Sequence, residues 1–131
     1  MSQEDVEVVR RWLWAFERDT DVFVELTHPD IEWAPFEENH SLFRGVEGAM
    51  RVRGGWLETW VEHRVDTEEI TDAGDDLIFS LHVTGRGKGS GLEVDVRLHL
   101  HFKVRDGKIV YVFEHLDRDD ALRAVKLNQR G

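Results

Sequence analysis

Leu92-Glu93-Val94-Asp95-Val96-Arg97-Leu98-His99-Leu100-His101-Phe102-Lys103-Val104 alternates apolar and polar residues without a break. A period of two over this length predicts a β-strand with one face in a core. Val94, Val96, Leu98, Leu100, Phe102 and Val104 make that face; Asp95, Arg97, His99, His101 and Lys103 point the other way. Downstream, Asp106-Gly107 is a hairpin turn signal. Residues 109–116 are apolar on both faces, as expected of a strand covered on both sides. Upstream, Arg86-Gly87-Lys88-Gly89-Ser90-Gly91 has a glycine at every second position. It joins two strand-like stretches and no helix follows it. It therefore reads as a hairpin connection rather than a phosphate cradle. Residues 77–84 form the preceding strand, with Leu77, Phe79, Leu81 and Val83 on one face and Ile78, Ser80, His82 and Thr84 on the other. Residues 64–71 read as a weaker, exposed strand.

Before residue 63 the period is that of a helix. Ser2, Glu4 and Asp5 suit a helix start, and Val6, Val9, Leu13 and Phe16 form an apolar stripe flanked by Trp12 and Trp14. Asp19 or Asp21 can cap a short second helix with Val22, Phe23 and Leu26 inward, ending near His28-Pro29. Residues 30–35 read as a short strand and 36–44 as a polar loop. Gly45 opens a third helix whose stripe is Val46, Met50, Leu57, Trp60 and Val61. Gly54-Gly55 inside it predicts a bend or a close neighbour. Asp117 caps a last helix with Ala121, Leu122 and Val125 inward. Helices gathered on one face of an antiparallel sheet make an α+β layer. The polar second face of the long strand, beside an apolar last strand, points to a partly covered outer face, with a second copy of the chain as the expected cover.

Composition bounds the function. The chain has 131 residues, enough for one domain with a real core, and its five Trp and seven Phe supply large buried surfaces. A net charge of -10 argues against nucleic acid and anionic membranes as partners. There is no cysteine, so disulfide and thiolate chemistry are excluded. The N-terminus does not read as a signal peptide and no apolar run is long enough to span a bilayer, so the cytoplasm is the expected compartment.

Several segments together resemble a known family. They are His28-Pro29-Asp30-Ile31-Glu32-Trp33, Phe43-Arg44-Gly45-Val46-Glu47-Gly48, Gly89-Ser90-Gly91-Leu92-Glu93-Val94, Phe102-Lys103-Val104-Arg105-Asp106-Gly107-Lys108-Ile109 and Glu114-His115-Leu116-Asp117-Arg118-Asp119-Asp120-Ala121-Leu122. Their order and spacing resemble SnoaL-like proteins of the nuclear transport factor two and ketosteroid isomerase superfamily. The resemblance implies a cone-shaped α+β barrel, with N-terminal helices on a curved, mostly antiparallel sheet that encloses a pocket. It also implies a homodimer through the convex face. It does not imply one activity. The position of the isomerase base falls on Trp33 or Ala34 and that of its oxyanion-stabilising acid near Leu100, so steroid isomerisation by that route is not expected. The epoxide hydrolases of the superfamily carry a pocket acid where this chain has Glu114; their other polar positions fall on Pro35, Glu37, Ser80 and His82.

Glu114 is therefore the central candidate. In an apolar wall beside Val110 and Val112, desolvation favours its protonated form and makes it usable as a general acid or base near neutral pH. The alternative is a buried glutamate paired with Arg44 or Arg97. Glu37 and His82 could assist Glu114 as an acid/base cluster, although alternation turns His82 away from the core face unless a bulge resets it. His99 and His101 have metal-ligand spacing, with His82 as a possible third ligand, but alternation puts them on the non-core face, at an interface or in solvent, and no metal is expected. His40 can stand at the pocket mouth. Trp33, Phe36, Trp56, Trp60 and Leu100 are expected to line the pocket, which suits a small hydrophobic molecule. The expectation is cofactor-free acid/base chemistry of isomerase, cyclase or hydrolase type; the alternative is a non-catalytic binding or dimerisation module.

Overall fold

The computed structural model describes residues 2–36 and 42–130. The alternating stretch forms β5 (Glu93–Arg105), at the heart of a six-stranded sheet. Its neighbours are β4 (Asp76–Gly87) and β6 (Lys108–His115), both antiparallel to it. Beyond β4 lies β3 (Trp60–Ala73); beyond β6 lie β1 (Thr27–Ala34) and the two-residue β2 (Phe43–Arg44). Among the described residues only the β1–β6 pairing is parallel. The order β2-β1-β6-β5-β4-β3 leaves the sheet open, a curved half-cone rather than a closed barrel.

The turn chemistry behaves as read. Asp106 and Gly107 both have positive φ (55° and 72°), the backbone that a two-residue hairpin with native twist requires. The glycine-rich stretch is a hairpin end, with Gly87 N–H donating to the Leu92 carbonyl at 2.9 Å.

Three helices cover the concave face: α1 (Ser2–Arg18), α2 (Thr20–Glu25) and α3 (Gly45–Thr59). Asp19 caps α2 by accepting from Val22 N–H at 3.1 Å. Trp12 is fully buried and its ring packs within 5.0–6.0 Å of Phe16, Phe23, Trp33 and Phe102. Its indole N–H donates to Thr27 Oγ1 (3.0 Å), whose hydroxyl donates to the Phe23 carbonyl (2.7 Å). This chain of bonds satisfies the buried polar atoms where α2 meets β1. Arg53 of α3 is also buried, with Nε on the Phe16 carbonyl (2.8 Å) and Nη1 on Thr20 Oγ1 (2.9 Å). One guanidinium thereby ties α3 to the junction of α1 and α2.

Several expectations change. The second helix stops at Glu25, not near His28, because Ile109 N–H bonds the Leu26 carbonyl and draws the chain into the sheet. The third helix stops at Thr59; Trp60 already has strand geometry and Val61 is exposed. Nothing lies within 4 Å of a Cβ at Gly54 or Gly55, so close packing does not explain them. The helices do not all share one face. The last helix, α4 (Arg118–Arg130), capped by Asp117, packs Ala121 and Val125 on Ile78, on the opposite side of β4 from the main core. No helix among the described residues is long and apolar enough to cross a membrane.

The outer-face histidines are inside the chain rather than in solvent. His101 is fully buried, with Nε2 2.7 Å from Asp76 Oδ1 and Tyr111 packed edge-on at 5.1 Å. Lys103 Nζ reaches the same carboxylate oxygen at 3.3 Å and supplies its counter-charge. Burial holds the imidazole of His101 below its ordinary pKa, against the opposing pull of Asp76. His99 is likewise depressed, by burial and then by the Arg118 charge, and its Nδ1 shares a 2.8 Å hydrogen bond with Ser80 Oγ. His82 pairs with a third partner, Asp95, at 2.7 Å. The three rings are thus committed separately, and no group of three metal-capable side chains occurs among the described residues.

Candidate functional site

A cavity of about 630 Å³ opens between α1, the end of α3 and the concave side of β3–β6. Its wall is aromatic and aliphatic: Trp12, Phe16, Trp33, Trp56, Leu81, Val83, Leu98 and Leu100. Glu114 lies in this wall and is only 6% exposed. Register explains how it gets there. Glu114 stands opposite Leu100 across the β5–β6 ladder, so it takes the same face as that core residue. A shift between Lys103 and Val104 makes Val110 an extra residue in β6. The buried neighbours of Glu114 on its face are therefore Val112 and Ile109, not Val112 and Val110.

Trp33 Nε1 donates to Glu114 Oε2 at 2.7 Å. Both groups are buried, so the bond satisfies the indole N–H and anchors one carboxyl oxygen in the wall. The expected arginine partners are elsewhere: Arg44 pairs with Glu32 and Arg97 with Glu68.

On another side of the cavity, Glu17 of α1 and His63 of β3 form a pair, Nε2 to Oε2 at 2.7 Å, each side chain 19% exposed. His63 stacks on Trp60 (5.5 Å, 23°) and meets Trp56 edge-on (6.1 Å, 85°). The stack depends on a register shift between Trp60 and Glu62, which lets residues 60 and 63 share a face. It also depends on Gly85, opposite His63. A Cβ there would stand 2.8 Å from both His63 Cβ and Trp60 Cε3. The indole N–H groups of Trp56 and Trp60 are buried with no hydrogen-bond partner among the described residues. Of the charged side chains along the cavity, Arg64 pairs with Asp66 (2.8 Å) and Arg10 stands 3.6 Å from Glu7, while Arg18 lies over the Trp14 ring (5.9 Å).

The residues singled out from sequence divide accordingly. Trp33, Trp56, Leu100 and Glu114 line the cavity. Phe36 and Trp60 pack against the core beside it without lining it. His82 faces outward, bonded to Asp95 and 3.8 Å from Glu68, because the alternation of β4 is unbroken there; it cannot assist Glu114. Glu37 and His40 lie outside the described residues. Sequence reading missed Glu17 and His63. The signal for Glu17 was present, since it shares the helix face of Leu13 and its neighbour Phe16 belongs to the core stripe; an acid on that face was passed over.

A model of the SnoaL-like domain matches residues 9–112, most of the chain and nearly all of the elements that build the cavity. The chain belongs to the SnoaL-like domain family. Solved structures share its fold. One is a protein assigned as a SnoaL-like polyketide cyclase from Jannaschia sp. CCS1, with 23% identity, TM-score 0.76 and coverage of 95% of this chain and 90% of that one. A second is TerC, co-crystallised with polyporic acid, with 17% identity, TM-score 0.74 and coverage of 94% and 98%. A third is an NTF2-like protein from Burkholderia xenovorans LB400, with 21% identity, TM-score 0.75 and coverage of 95% and 97%. At these identities the likeness is one of fold. No curated protein matches the sequence. Of the two residues at the position expected of the isomerase base, Trp33 and Ala34, the indole of Trp33 serves here as donor to Glu114.

Proposed function

We propose that this SnoaL-like domain takes a small, largely apolar molecule into its cavity and carries out cofactor-free acid/base chemistry on it, with Glu114 as the central group. One observation carries the reading: a carboxyl group 6% exposed in the aromatic wall of a 630 Å³ cavity, with the Trp33 indole donating to it at 2.7 Å. A carboxyl group buried in the aromatic and aliphatic part of a cavity wall is costly to maintain unless it has work to do there. The polyporic acid taken up by TerC is consistent with an aromatic, oxygenated ligand for this fold.

The competing reading is a binding module without turnover. It is favoured by the same hydrogen bond, which would serve equally as a structural clamp between β1 and β6. Mass spectrometry of molecules released from the purified protein identifies the ligand. Turnover of that ligand by wild type, and its loss in Glu114→Gln with the fold retained, supports catalysis. Binding without conversion by either protein rejects catalysis in favour of the module. We also propose a homodimer through the outer face, where Tyr111, Phe113 and His115 stack in a half-buried row along β6. Light scattering at micromolar concentration tests it, with a mass of about 15.3 kDa rejecting the dimer.

A further inference from the structure

We infer that His63, oriented by Glu17, is a second proton-transfer group of the same cavity, so that the domain moves protons between two ends of one bound molecule. This inference rests on the reading of Glu114 above and extends it to a reaction and a substrate class.

Four contacts place His63. Glu17 holds Nε2 at 2.7 Å, Trp60 stacks on one face, Trp56 meets it edge-on, and Gly85 leaves the space that the ring stack needs. The Glu17 carboxyl oxygen 2.7 Å from Nε2 favours the tautomer with the proton on that nitrogen, as a hydrogen-bonded orienting acid does. Nδ1 then carries the lone pair and accepts a proton. The imidazolium formed is stabilised by Glu17, which is a positioning residue and need not touch the ligand. Two features argue against a purely structural pair. Both side chains line the cavity, and the pair joins the first helix to an edge strand across its wall, where an apolar contact would serve packing as well.

The chemistry that uses a lone-pair nitrogen at one side and a carboxylic acid at another is tautomerisation of an enolisable carbonyl compound. His63 Nδ1 takes a proton from the carbon next to the carbonyl, and that C–H bond breaks. Its electron pair shifts through the conjugated system, and a new bond to hydrogen forms at the far end with the proton of Glu114. The product is an isomer of the substrate. Glu114 is left ionised and His63 protonated, and both return to their starting states by exchange with water through the open mouth. No oxidant, metal or co-substrate is consumed.

Two measurements test this. The first needs no substrate: long-range proton–nitrogen correlation spectra of the histidine rings. The expected result is His63 as the Nε2–H tautomer in wild type and a mixture of tautomers in Glu17→Gln. A wild-type Nδ1–H tautomer overturns the inference. The second follows deuterium uptake from D2O into the α-carbon of 2-tetralone, an aromatic ketone that fits the cavity, with binding monitored by tryptophan fluorescence. Wild type should accelerate the exchange. His63→Gln and Glu114→Gln should each lose at least about a hundredfold while still binding the ketone, and His82→Gln should match wild type. Exchange lost in Glu114→Gln but retained in His63→Gln overturns the role of His63 and leaves that of Glu114 standing. A wild-type protein that binds 2-tetralone without accelerating exchange rejects both.

Discussion

The Trp33–Glu114 bond is where sequence position and chemistry part company. Trp33 is one of the two residues, with Ala34, on which the resemblance puts a base, and it cannot take a proton; it donates a hydrogen bond to an acid 81 residues away. Replacing Trp33 by Phe keeps an aromatic ring but removes the donor and leaves space in a buried site. The buried carboxyl group then loses that donor, which costs about 1–3 kcal/mol. A urea titration should show that loss, and Glu114→Gln in the Trp33→Phe background should cost less than in wild type, because the coupled partner is already gone. Arg53 is a second residue whose weight is not visible from its type. Arg53→Met retains the stem and drops both bonds, to the Phe16 carbonyl and the Thr20 hydroxyl, so a loss of about 1–3 kcal/mol is expected in the same titration.

At the scale of elements, two irregularities in the ladders build the site. The extra residue at Val110 brings Ile109 into the core and leaves Val112 and Glu114 facing the cavity side. The shift near Val61 puts Trp60 and His63 on one face. Strict alternation would separate residues three apart, so neither consequence follows from a period of two. Gly85 is the matching concession on β4. A methyl group there would stand 2.7 Å from the Glu62 carbonyl oxygen, which is backbone and cannot swing aside. Gly85→Ala is therefore expected to destabilise the protein by about 1–3 kcal/mol, to move the fluorescence of Trp60, and to disturb the His63 ring more than the distant His82 ring in nuclear magnetic resonance spectra. An unchanged urea midpoint would show that β3 yields easily at this edge.

For the whole molecule, the outer face carries the pH response. His99 and His101 are both held below their ordinary value of 6.5, chiefly by burial. The unfolded chain therefore takes up protons at these rings at a higher pH than the folded one does. Stability is full above about 6.5 and falls as pH drops from there toward the depressed folded values. Glu68 and Glu69, lowered by their hydrogen bonds to Arg97 and Arg118, act only in the more acidic window below their ordinary 4.5. Urea midpoints measured from pH 8 down to pH 5 should decline through the histidine window, and His101→Gln should flatten that decline. A flat wild-type profile would mean that the rings ionise freely in the fold.

The alternating run of β5, the Asp106-Gly107 turn, the Asp19 cap and the inward face of α1 were legible in the chain, because each follows from local period and backbone preference. Those features determine an α+β layer with a histidine-rich outer face and an acid, Glu114, on the last strand of the chain. Helix ends at Glu25 and Thr59 were not legible, since both are decided by pairing with strands far along the chain. Nor was the company that Glu114 keeps. Its donor, the Glu17–His63 pair on another wall of the cavity, and the burial of His101 under its own chain all depend on register shifts and helix placement over long sequence separations. Periodicity reports which face a side chain takes; only packing decides which groups meet there.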